Sequence, residues 1–223
     1  MRFKKDLILV AQRCLLHIKS MGLLFYMPIL VSALASPLFI WFSYRANGNS
    51  STFLLDTIQI TQLLFPFFSA WWPLLLLREY VGGKGRELLY VNCCRARFVD
   101  LLVFWLIYVC ILTIVYGALA SINHLFWMEY LKMMCICISF AGAAYCLAYL
   151  FLSLPAVAMI LLLYTFSSIA FYRDRLVFPL YYSLELVDWR SFYAVYFPMA
   201  GCGIMFWLLG ILLNLKRKSN SLN

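Results

Sequence analysis

The chain has 223 residues, of which 65% are hydrophobic and only 12% charged, about half the charged share of a soluble domain, and its mean hydropathy is +0.90. That composition excludes an ordinary water-soluble domain, a disordered chain and a secreted disulfide scaffold, and leaves a lipid bilayer as the fitting solvent. The formal charge is +9, from 18 Lys and Arg against 9 Asp and Glu, but the basic residues cluster between apolar runs and read as a membrane-orientation signal rather than a nucleic-acid footprint.

Residues 1–21 come first. Projected at 100° per residue, Arg2, Lys5, Asp6, Gln12, Arg13, His17 and Lys19 share one broad arc, and Phe3, Leu7, Val10, Cys14 and Ile18 the opposite one. The arcs predict an amphipathic helix lying in the membrane interface; the alternative is a plain basic tail. Arg13, His17 and Lys19 interrupt the apolar content and no small-residue cleavage site follows, so a cleavable signal peptide is not expected.

Six apolar runs then predict an all-α, polytopic membrane protein, with spans near 22–44, 53–77, 99–122, 131–151, 155–172 and 193–215. The fourth and fifth share one long run that should turn near Leu152 to Pro155, where proline fits the first turn of a helix. Thirteen of the 18 basic residues lie before the first span, between the second and third, or after the last. Those three places should share the cytoplasmic face, with both termini inside and 216–223 as a basic tail.

Within the spans, Asp56, Gln59 and Gln62 form a drifting stripe on span two and are candidates for a translocation path. The alternative for Asp56 is a place at the interface, where the helix dipole favours an acid. Glu129 and Lys132, three apart at the outer end of span four, are expected to be an ordinary surface pair. His17 and His124 lack partners for catalysis or metal binding, and Cys135-Ile136-Cys137 lacks metal spacing. No disulfide is expected; Cys93-Cys94 read as small juxtamembrane hydrophobes, with acylation as the alternative. Ala144, Ala148, Gly203 and Gly210 offer small faces for helix packing. Pro28, Pro37, Pro66, Pro73 and Pro198 are places for kinks. The outer segment from Arg173 to Phe192 is aromatic, as a belt or an outer gate would be.

The most informative stretch runs from Arg78 to Arg97, as Arg78-Glu79-Tyr80-Val81-Gly82-Gly83-Lys84-Gly85-Arg86-Glu87-Leu88-Leu89-Tyr90-Val91-Asn92-Cys93-Cys94-Arg95-Ala96-Arg97. Gly82, Gly83 and Gly85 permit a sharp change of direction, and Arg86 to Tyr90 could form a short helix. It lacks the spacing and trailing Ser or Thr of a phosphate cradle. Read alone, it is either a docking element or a solvated loop that binds nothing.

Here the chain resembles the type-2 ABC exporter permeases. The resemblance rests on Glu79, Gly85, Glu87, Leu88-Leu89 and Arg95 or Arg97, together with the layout of an entry helix, six spans and internal termini. Where that family usually has a proline before the arginine, this chain has Cys93-Cys94. The resemblance implies that loop 78–98 is a coupling element for a separate ATPase, carried by Glu79, Gly82, Gly85, Arg86, Glu87, Leu88, Arg95 and Arg97. It also implies short helices dipping into the membrane between spans five and six. The implied partners are cytosolic ABC ATPase subunits, which would hold ATP and Mg, and a second permease in a homo- or heterodimer, within a bacterial inner or plasma membrane; this chain would hold no cofactor and bind no nucleic acid. The substrate would be a hydrophobic compound, an antimicrobial peptide or a lipid-linked molecule. The competing readings are a non-catalytic membrane adaptor or immunity protein and an intramembrane enzyme, the last with no clustered catalytic side chains in the spans.

Overall fold

The computed structural model describes residues 2–82, 94–171 and 181–220, and every regular element among them is helical. The order is α1 (Arg2–Met21), a composite α2 (Gly22–Tyr26, Met27–Leu30, Val31–Ala35 and Ser36–Asn47), α3 (Ser51–Gly82), α4 (Cys94–Ile122), α5 (Phe126–Phe151), α6 (Leu154–Ala170), and a composite α7 (Trp189–Ser191, Phe192–Tyr196 and Phe197–Asn220). Among the described residues, five stretches are long and apolar enough to cross a membrane: Val10–Asn47, Ser51–Arg78, Arg97–Ile122, Phe126–Phe151 and Trp189–Lys216. The chain is therefore a polytopic helical membrane protein. The expected fifth span, α6, has 17 residues and a length of about 26 Å, slightly under the hydrocarbon thickness.

Local chemistry sets the boundaries. Val10–Asn47 has 38 residues, about 57 Å if straight and far more than one crossing needs. Gly22 divides it, with φ of 58°, a left-handed backbone that glycine adopts without a Cβ penalty. Gly48, with φ of 61°, does the same between α2 and α3. At the expected turn in the long apolar run, Leu152 is left-handed (φ 54°), Ser153 is extended and Pro155 opens α6, where it gives up no helical hydrogen bond.

The core sits on α5 and α3. In the most apolar 18 residues of each, 67% and 61% are buried, against 28–33% in the other three, so α5 and α3 are central and α2, α4 and α7 are peripheral. Prolines 66 and 73 lie inside α3, and side chains serve the backbone around the first: the Tyr108 hydroxyl donates to the Phe65 carbonyl at 2.8 Å and the Ser69 hydroxyl to the Pro66 carbonyl at 2.6 Å. α2 is pinned to α3 by the Trp72 indole, which donates to the Phe25 carbonyl at 2.9 Å and stacks on the Phe25 ring at 5.2 Å.

α5 and α7 meet along a seam of small residues. A Cβ on Gly203 would lie 2.7 Å from the Ser139 Cα, and one on Gly142 would strike the Gly203 carbonyl. Close backbone approach is how membrane helices gain packing energy where lipid tails are as apolar as leucine. It also brings the Ser139 hydroxyl within 2.7 Å of the Met199 carbonyl, beside the widened turn Phe192–Tyr196.

Candidate functional site

Residues 181–188 carry no regular structure, yet they start deep in the bundle. Tyr181 is fully buried, its ring 5.4 Å from Phe140 and 5.9 Å from Tyr164. Phe140 stands midway along α5, about 21 Å from its start. Irregular backbone at that depth survives only where protein satisfies its polar groups, and two side chains do so. Gln62 of α3, fully buried, accepts from the Ser183 N–H at 2.9 Å and donates to the Ser183 carbonyl at 3.1 Å. Glu129 of α5 accepts from the Val187 N–H at 3.0 Å.

Lys132 balances the second staple. Its ammonium lies 3.2 Å from the other Glu129 oxygen and 5.2 Å from the centre of the Tyr196 ring on α7. The two side chains are 2% and 0% exposed, so the expectation of an ordinary surface pair is overturned. A carboxylate with one oxygen on a backbone N–H needs a cation for the other when both are taken from water. Above this core Asp188 caps the start of α7: its Oδ1 accepts from the Ser191 N–H at 2.9 Å. The Ser191 side chain and backbone together hold its carboxyl below the usual carboxylate range.

The stripe of path candidates is not one site. Asp56 is half-buried near the α2–α3 turn, accepting from Ser43 at 2.7 Å and Asn47 at 3.2 Å; Gln59 is half-buried; only Gln62 joins the irregular segment 181–188. The dipping helices implied for the outer segment are not found at 181–188, which carry no regular structure; 172–180 lie outside the described residues.

A second cluster gathers at the opposite, basic end. Asp100 of α4, 2% exposed, receives the Arg13 guanidinium at 3.0–3.2 Å and faces His17 Nε2 at 3.5 Å. Arg13 and His17 therefore do not form a solvated basic face: a buried carboxylate on α4 draws one side of α1 inward. Leu15 and Leu16, 58% and 65% exposed, take the outer side. One turn before Asp100, Arg97 is buried, with Nη1 3.3 Å from the Asn214 Oδ1 on α7.

Among the coupling candidates, Glu79 and Gly82 lie on the last turns of α3 and Arg95 and Arg97 on the first of α4. Gly85, Arg86, Glu87 and Leu88 lie outside the described residues. Reasoning from the sequence missed Asp100 and the burial of Glu129 and Lys132. The available signals were an acid one residue inside a span and an i, i+3 pair of opposite charge in an apolar run. Among the described residues no group of three His, Cys, Asp or Glu side chains could hold a metal, and the described cysteines with a visible side chain are unbridged. No family model, curated protein or solved structure matches this chain.

Proposed function

We propose that the chain is the membrane-embedded permease subunit of an ATP-driven exporter, with six crossings, both termini and the basic end in the cytoplasm, and a separate ATPase docked on loop 78–98. One observation carries the reading. α3 is a single 32-residue helix, about 48 Å long, that holds segment 181–188 through Gln62 and ends at Gly82, where the glycine-marked stretch of sequence begins. A continuous helix joining the two gives a push on the loop a direct route to segment 181–188. The clamp of Arg13 and His17 on Asp100, with Arg97 on Asn214, ties the foot of α4 to α1 and α7, so the helix that follows the loop is anchored. No nucleotide cradle occurs in the sequence, which assigns ATP chemistry to the partner.

The experiment is affinity purification of the tagged chain from its native membrane in mild detergent, followed by ATP hydrolysis assays. A cytosolic ATPase is expected to co-purify, and Glu87→Arg is expected to abolish its retention while the membrane subunit still accumulates. Absence of any ATPase in the wild-type preparation, or retention unchanged by Glu87→Arg, overturns the proposal.

A further inference from the structure

At the basic end, a cleft of about 290 Å³, open to the surface, lies between α3 and α6. Trp71, Leu75, Leu154 and Ala158 line it, and Arg78 stands at its rim. The walls offer nothing polar: the Trp71 indole N–H is already given to the Leu24 carbonyl at 3.0 Å. Arg78 is exposed, and the three ion pairs among the described residues do not involve it. Phe151 and Leu152, just before α6, are also exposed, so the surface around the cleft faces lipid tails.

We propose that this cleft binds one anionic phospholipid of the basic-end leaflet, an acyl chain lying between α3 and α6 and its phosphate on Arg78. The chemistry selects this occupant. An apolar slot open toward lipid takes a hydrocarbon chain, and a guanidinium at the slot's membrane-water edge prefers a phosphate-bearing headgroup with net negative charge. A zwitterionic lipid fits the slot equally well but carries its own cation, which competes with Arg78. Arg78 is also the first residue of loop 78–98, so the site is read on the chain alone, where no docked subunit competes for it.

The test is lipid retention by the full chain after delipidation and incubation with vesicles of phosphatidylglycerol and phosphatidylcholine in equal parts, read by native mass spectrometry. Wild type is expected to retain the anionic lipid about fivefold over the zwitterionic one, the factor one basic side chain supplies near such a headgroup. Arg78→Gln should equalise the two. Ala158→Trp, which fills the slot, should lower retention of both, and Arg45→Gln, at the other end of the bundle, should change neither. Equal retention by wild type, or a preference that survives Arg78→Gln, overturns the proposal. Glycerol phosphate displacing the bound lipid at millimolar concentration would mark a phosphate site without the chain and also overturn it. So would a disulfide-linked dimer formed by Ala158→Cys, because the slot would then be covered by a second copy. Arg78 is exposed, so its variant tests the headgroup contact even if Ala158→Trp fails to fold.

Discussion

Glu129 and Lys132 illustrate how little a residue's type says about its energetic role until its surroundings are known. As an exposed i, i+3 pair they would contribute a few tenths of a kcal/mol; buried, with one carboxylate oxygen on the Val187 N–H, they are interdependent. Lys132→Met alone should destabilise the protein by about 3–5 kcal/mol by leaving Glu129 uncompensated, and Glu129→Gln combined with Lys132→Met should recover most of that loss. Thermal unfolding in detergent of the single and double variants measures this; additive losses would contradict the pairing. Gln62 makes a different point. Gln62→Ala strands the N–H and carbonyl of Ser183, at about 1–3 kcal/mol for each buried group left unsatisfied. The residue should then open to water. A cysteine at Ser183 is expected to react with an impermeant thiol reagent markedly faster in the Gln62→Ala background than with Gln62 in place. Asp188 gives a pH signature. Its folded carboxyl titrates below the ordinary value, so the stability it adds is present above the unfolded value of about 3.9 and fades as pH falls through the lower folded one. Asp188→Asn keeps a competent cap and loses the charge. It should melt below wild type at pH 7, with the gap closing at the acid end of the titration.

At the scale of elements, the seam between α5 and α7 is where backbone contact replaces side-chain contact. Gly203→Val must push its side chain into the Ser139 backbone, 2.7 Å away, and should cost at least the 1–3 kcal/mol of an overpacked core. Gly201, two residues earlier, has open space where its Cβ would go. Gly201→Ala should leave the seam intact and raise stability by about 0.5–1 kcal/mol through helix propensity. Unfolding midpoints of the two variants, moving in opposite directions, check the register of the pair. These contacts were partly legible in the sequence: small residues at Ala144, Ala148, Gly203 and Gly210 mark faces able to approach closely, but nothing in them says which helix approaches. The breaks were more legible, because Gly22, Gly48 and Pro155 act through their own backbones. Leu152, left-handed without glycine's freedom, was legible only as the neighbour of Pro155.

For the whole molecule, the distribution of charge predicts an orientation that labelling can measure. Single cysteines at Arg45 and His124 in a background without other cysteines should react with an impermeant reagent in intact cells, and one at Lys216 only after permeabilisation. The reverse pattern would invert the molecule and remove loop 78–98 from reach of a cytosolic motor. Length, hydropathy and glycine and proline positions determined by themselves that this is a polytopic helical membrane protein and where its chain breaks at Gly22, Gly48 and Pro155, because each of those properties is local: a helix in lipid satisfies its own backbone. The tertiary structure alone decided that α3 and α5 form the centre, that Asp100 draws Arg13 and His17 inward, and that Gln62, Glu129 and Lys132 hold an irregular segment inside the bundle. Those roles depend on partners between 58 and 121 residues away, and the free energy of a buried polar group is set by what faces it across the packed interior, which no local pattern of residues records.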